Sequence, residues 1–238
     1  MTSLYGRDVA LVHHLGFGSH ADACAPGILR LLEPVRGGLV LELGCGSGAL
    51  TRHLLAAGHR VVATDASPDM VHLTRASVTG AEDVRVLVLP DEPLPEAAAV
   101  VSVGHVLNYL PDEAAVERAL VAVAGSLAPG GVLALDLCDL RYAEVRREAP
   151  PYARVEDDWA IFTSYEVPSP RRFVRRITTF LRAEDRSWRR DDERHENVLV
   201  DTSKVPGLLA AAGVPATVAH FFGEEPLPEG LVAVVGRR

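Results

Sequence analysis

The residues best suited to chemistry in this sequence begin with Glu42, Gly44, Gly46, Gly48 and Asp65. The glycines alternate in Gly44-Cys45-Gly46-Ser47-Gly48, directly after the apolar run Leu39-Val40-Leu41-Glu42-Leu43. Glycines at a strand-to-helix turn let backbone approach a ligand closely, and a helix N-terminus offers free N–H groups there. Asp65 closes the next apolar run, 17 residues past Gly48. An acid at the end of the neighbouring strand accepts both hydroxyls of a ribose, so the combination describes a nucleoside site. Further on, Gly104-His105-Val106-Leu107-Asn108-Tyr109 sets an imidazole, an amide and a phenol in one loop. His105 is the group in that loop that titrates near neutral pH when unperturbed.

The elements that must position these residues follow from the apolar pattern. Helices are expected over about 8–15, with Asp8 as cap, and over about 21–32. The predicted order then runs strand 39–43, helix 48–57, strand 60–65, helix 68–77, strand 84–89, strand 98–103, helix 112–127 and strand 132–137. Ser67-Pro68 reads as an N-cap with proline at the first helical position. Continuous apolar runs, rather than alternation, mean strands covered on both faces and hence a parallel sheet wrapped by helices. A helix over 202–212 and strands over 216–222 and 231–235 close the chain as an antiparallel pair. Between them lie three long strands of exposed character, 159–167, 172–182 and 187–200. They form an antiparallel insertion that reads either as a lid over the crevice at the carboxyl ends of the strands or as an oligomer interface.

Gly44-x-Gly46-x-x-Ala49 also satisfies the relaxed dinucleotide fingerprint, which keeps a nicotinamide-dependent oxidoreductase open as an alternative. Glu42 at the strand tip, the helical segment before the first strand and the closing hairpin argue against it. Glu42-Leu43-Gly44-Cys45-Gly46-Ser47-Gly48, Asp65 and Leu127-Ala128-Pro129-Gly130-Gly131 together resemble the motifs of class I S-adenosylmethionine-dependent methyltransferases. The resemblance covers about Val40 to Asp136. It implies a Rossmann-like α/β fold: a seven-stranded, mostly parallel sheet with helices on both faces, a C-terminal antiparallel strand and the β insertion after strand five. It implies S-adenosyl-L-methionine as cofactor, with contacts from Tyr5, Phe17, Glu42, Gly44, Cys45, Gly46, Asp65, Ala66, Met70, Val88, Leu89, Gly104 and His105. Many relatives hold adenine with an acid just after strand three; here Val88 and Leu89 stand at about that place, before Pro90 and Asp91.

Methyl transfer from a sulfonium is an in-line displacement, for which orientation supplies roughly 7–11 kcal/mol in favourable systems. No catalytic triad is needed. His105 is the candidate general base or positioning group, and Asn108, Tyr109, Trp159, Arg175 and His195 are candidate acceptor contacts. The expected function is methylation of a small-molecule acceptor at oxygen, nitrogen or carbon. A non-catalytic S-adenosylmethionine-binding protein is the alternative of a different class. The chain of 238 residues reads as one domain: a helical cap over 1–37, a cofactor core over 38–137, the insertion over 138–200 and a C-terminal helix and hairpin over 201–238.

A net charge of −8 disfavours nucleic acid as a partner, because phosphate contacts need a positive surface. No apolar run approaches the roughly 20 residues of a membrane span, and no signal core precedes the first helix, so a cytoplasmic location is expected. Cys24, Cys45 and Cys138 show no pairing pattern and read as reduced thiols. His13, His14, His20 and Cys24 match no closed zinc spacing, so no metal is expected.

Overall fold

The computed structural model describes residues 4–224 and 226–238. Seven strands form the main sheet: β1 (Leu39–Leu43), β2 (Arg60–Asp65), β3 (Asp83–Val86), β4 (Ala97–Ser102), β5 (Leu127–Cys138), β10 (Ala216–Ala219) and β11 (Leu231–Arg237). Their spatial order is β10-β11-β5-β4-β1-β2-β3. The five strands from β3 to β5 run parallel, while β11 is antiparallel to both its neighbours.

Successive residues of the central strands pack on opposite faces. Val40, Val61, Ala99 and Val101 lie with Ile28 and Leu32 of α2 (Ser19–Leu32) and Leu50 and Leu54 of α3 (Ala49–Ala56). Leu41, Leu43, Val62 and Val100 lie with Val116, Leu120 and Val123 of α5 (Glu113–Ser126) and Leu209 of α7 (Val205–Ala211). A strand buried on both faces has no need of polar alternation, which is why these runs are continuous in the sequence. α4 (Pro68–Ser77) starts at its expected cap: Ser67 Oγ accepts the Met70 N–H at 3.2 Å.

The insertion forms a second, four-stranded antiparallel sheet, β6 (Tyr152–Val155), β7 (Trp159–Ser169), β8 (Arg172–Arg182) and β9 (Trp188–Val198). Its inner residues Trp159, Ile161, Ile177 and Leu181 pack on Val9 and Val12 of α1 (Arg7–Gly16). Phe173 and Leu199 join the core of the main sheet. Cys24, Cys45 and Cys138 are buried and unbridged.

Several expected bounds differ from the structure. α1 starts one residue before Asp8, at the Gly6 cap, and Asp8 instead accepts two 2.6 Å bonds from Arg189. β3 stops at Val86, because pairing with β2 ends at Asp65. β10 stops at Ala219, and Phe222 turns inward to pack on Gly27. The short α6 (Arg141–Arg147) and β6 were not expected; each is brief and carries little apolar periodicity. Among the described residues, no helix is long and apolar enough to cross a membrane.

Candidate active site

The carboxyl ends of β1, β2 and β4 lie side by side, with Glu42 level with Ala63 and Val101. This register brings the glycine loop, Asp65 and the loop after β4 to one edge. Asp65 Oδ2 accepts the Gly46 N–H at 2.9 Å, and Oδ1 accepts the Ser67 N–H at 2.8 Å. Burial pushes the Asp65 carboxyl up to about 6, against the N–H groups of Ser67, Gly46 and Ala66. Glu42 is buried with one carboxylate oxygen 2.6 Å from the Thr51 hydroxyl, and burial raises it to about 7.

The edge has room for a ligand. Gly46 has φ +55 and Gly104 φ +99, and a Cβ built on either would meet nothing within 4 Å. A left-handed backbone with free space above it is a cradle that only glycine leaves open. Gly44 serves differently: a Cβ there would lie 2.2 Å from Val106, so this glycine lets the two loops touch. A nucleoside fits the donor set, with Asp65 for ribose hydroxyls and the bare Gly46 backbone beside it. Ala66 is exposed next to Asp65, whereas Cys45 and Met70 are buried beneath the loop. Val88 is largely exposed beyond β3, and Leu89 packs partly on the core. Asp91 is exposed beside them.

The loop after β4 is anchored from below. Asp136 is fully buried in β5, and its carboxylate accepts the N–H groups of Gly104 at 3.0 Å and His105 at 2.6 Å. His20 of α2 approaches the same carboxylate at 3.2 Å. Burial opposes charge on His20, but the bond to Asp136 outweighs it and raises the imidazole to about 10. Held this way, His105 adopts φ +49, a conformation uncommon outside glycine and concentrated at functional sites. Its ring stacks on Tyr109 at 5.7 Å, and its buried Nδ1 has no partner. Burial and the nearby Arg175 charge push His105 down to about 3. The near-neutral titration expected for a histidine in this loop is thus overturned by its surroundings: His105 is a neutral imidazole throughout the physiological range.

The second sheet closes over this loop. Arg175 of β8 stands opposite His195 of β9, and both face inward. Arg175 donates from Nη2 to the hydroxyls of Tyr109 and, at 3.2 Å, of Tyr5. The Tyr5 ring lies 4.7 Å from His195 and 6.0 Å from Tyr109. At its other end, the Tyr5 carbonyl accepts the Ser67 hydroxyl at 2.6 Å, two residues past Asp65. Tyr5 therefore joins the glycine-loop side of the site to the second-sheet side.

Of the remaining expected site residues, Phe17 and Trp159 pack together at 6.3 Å where α1 meets the second sheet. Asn108 is fully buried with its amide committed to backbone: it accepts the Cys138 N–H and donates to the carbonyls of Cys138 and Val198. It positions Tyr109 by fixing the loop. Sequence reasoning missed Asp136, His20 and Glu193. Asp136 left one signal, a lone acid inside Val132-Leu133-Ala134-Leu135-Asp136-Leu137, since a buried carboxylate needs partners. Glu193 left none; it accepts the N–H groups of Tyr5 at 2.8 Å and Gly6 at 2.7 Å across 187 or more residues.

Residues 40–131 match the family model described as a methyltransferase domain. A Geobacillus sp. (strain WCH70) protein named as a methyltransferase is 25% identical over 195 residues, 79% of this chain and 78% of that one. Other curated methyltransferases match over 20% to 50% of their own length. The sugar N-methyltransferase from Streptoalloteichus sp. shares the fold with a TM-score of 0.79 at 20% identity, over 100% of this chain and 98% of that one. An amino pentose methyltransferase from Micromonospora echinaspora, solved with S-adenosylmethionine bound, gives a TM-score of 0.73 at 18% identity, over 99% of each chain. Together with the nucleoside edge, these matches define the class: residues 40–131 form a methyltransferase domain, on a fold shared with S-adenosylmethionine-dependent methyltransferases. The chain is an enzyme whose cofactor is S-adenosylmethionine.

Proposed function

We propose that this enzyme methylates a small molecule enclosed between the loop after β4 and the inner face of the second sheet. The observation that carries this reading is the position of Tyr5. Its carbonyl binds beside Asp65, and its phenol binds Tyr109 and Arg175. Nucleoside edge and enclosed polar cluster are therefore one continuous site. The names of the structural neighbours, a sugar N-methyltransferase and an amino pentose methyltransferase, support an acceptor of this size. Oxygen, nitrogen and carbon acceptors all fit.

When bound, S-adenosylmethionine supplies a methyl group already activated by the sulfonium charge. Asp65 and the Gly46 backbone hold the nucleoside; Gly104 and His105 present backbone at the adjoining strand end. His105, neutral and with Nδ1 unpartnered, accepts a hydrogen bond from the acceptor and so orients its lone pair, without taking the proton. Tyr109 and His195 border the same space, and the second sheet with α1 excludes water. Excluding water and fixing orientation account for most of the rate enhancement such a reaction needs.

On this reading residues 1–238 act as one methyltransferase unit, with 138–200 as the lid. Burial of Phe173 and Leu199 in the main core supports that view over a detachable module. The test is release of S-adenosylhomocysteine by the full chain with a panel of hydroxyl-, amine- and carboxylate-bearing small molecules, with ribosomal RNA and mixed protein as comparison acceptors. Turnover confined to the macromolecules would overturn the proposal.

A further inference from the structure

Arg175 is a half-buried charge, its Nε fully enclosed, without a counter-ion among the described residues. Its neighbours along β8 all form ion pairs: Arg172 with Glu196, Arg176 with Glu166, Arg182 with Asp158. Those three lie toward solvent, where pairing matters least. Arg175 faces inward and, among the described residues, forms no ion pair. Its only bonded partners are two neutral phenols, and its buried Nε has none. The groups around it deepen the imbalance. Burial and the Arg175 charge together hold His105 and His195 below the usual histidine range, and do the same for His13, which falls to about 4. No nearby histidine thus adds charge, but none offsets it.

The same inner face carries other unmet hydrogen-bonding capacity. Nδ1 of His195, directly across from Arg175, is buried without a partner. Both amide atoms of Asn197, two residues further along β9 and fully buried, are also unpartnered. Buried polar atoms in proteins are nearly always satisfied, and a buried charge left alone costs more than any neutral group. So dense a cluster of unmet groups around one cation calls for a ligand rich in acceptor oxygens and negative charge.

We propose that the methyl acceptor carries an anionic oxygen group, a carboxylate or a phosphate, and that Arg175 receives it on the inner face of the lid. The planar guanidinium fork matches the paired oxygens of either group, which a lysine ammonium does not. The anion would anchor one end of the acceptor at Arg175 while His105, on the opposite wall, meets the end to be methylated. This inference rests on the small-molecule reading above and narrows it to acidic acceptors.

The test uses the full chain saturated with S-adenosylhomocysteine and titrated with sodium acetate, sodium phosphate or sodium chloride at matched ionic strength. Thermal melting and calorimetry provide the readouts. Acetate or phosphate should raise the melting temperature at millimolar concentration where chloride does not, and whichever is stronger identifies the group. Arg175→Gln should weaken that response about tenfold or more, the loss expected for a charged hydrogen bond. Arg175→Lys, the milder change, should weaken it through loss of the fork and serves if Arg175→Gln folds poorly. Neither anion exceeding chloride, or a wild-type response in Arg175→Lys or Arg175→Gln, would overturn the proposal. If the homocysteine product itself fails to bind, the underlying site reading fails and takes the proposal with it; product binding without an anion response defeats the proposal alone.

Discussion

Replacing Asp65 by asparagine separates ribose recognition from folding. A carboxylate offers about four lone-pair sites. Gly46 and Ser67 N–H groups each occupy one, on different oxygens. One site per oxygen is left, enough for the two hydroxyls of a ribose. Asparagine keeps one oxygen and turns the other into a donor, so one hydroxyl loses a charged acceptor worth about 1.5–3 kcal/mol. Cofactor affinity should therefore fall about 10- to 150-fold. Stability should change little, because two effects oppose. One N–H loses its acceptor, but the variant escapes the burial that raises Asp65 to about 6. A carboxyl with its folded pKa above the unfolded value gives stability below about pH 4 that is lost as pH rises through about 6, so asparagine relieves a cost at neutral pH. The pH dependence of binding follows from the same group. Only the ionised carboxylate accepts both hydroxyls, so wild-type affinity should drop about fivefold between pH 6 and pH 5. Titration calorimetry with S-adenosylhomocysteine at pH 5 to 8, on both proteins, measures this. Unchanged affinity in a folded Asp65→Asn protein, or a wild-type affinity flat across that range, would refute the assignment.

Gly46→Val should fold with a penalty of about 1–2 kcal/mol for its left-handed backbone, yet fail to bind cofactor because its side chain fills the cradle; normal binding would reduce the loop to a packing turn. His105→Ala should lower turnover about 10²-fold through lost positioning of the acceptor, with cofactor affinity within a few-fold. Because His105 lies near 3, no inflection in the wild-type pH–rate profile between pH 5 and 8 should belong to it, and a neutral-range inflection lost in the variant would contradict its burial. His20→Gln should cost roughly 1–3 kcal/mol of stability at pH 6 and little at pH 11. The His20 imidazole is raised to about 10, so its contribution is full below about 6.5 and vanishes as pH rises through about 10. A denaturation difference that grows toward high pH would reverse that sign.

The glycine loop, Asp65 and the parallel core were legible because each depends on local pattern. Apolar runs covered on two faces, an acid at each strand tip and glycines after the first strand suffice to place them. The bounds of β8 were legible to the residue, since Pro168-Ser169-Pro170 and Glu184-Asp185-Arg186 mark the turns at its two ends. Arg175 and His195 were found as candidates, but not as neighbours across a sheet; only the β8–β9 register makes them so. His105 shows the limit most clearly. Its position could be read from the loop, but its proton affinity depends on burial and on an arginine 70 residues away. The tie from Glu193 to Tyr5 and Gly6 joins the insertion to the segment before α1 through backbone donors, which no residue type announces.

That tie also bears on traffic through the enzyme. Glu193 belongs to the second sheet, while the N–H groups it holds lie at the start of α1, whose first turn is fastened again by Arg189 to Asp8. α1 in turn rests on α4, just past Asp65. The second sheet and the segment beside the nucleoside edge are thus fastened as one piece. Separating these elements would break several charged hydrogen bonds at about 1.5–3 kcal/mol each. On the lid reading, acceptor and cofactor pass through one opening, and exchange of both depends on those bonds.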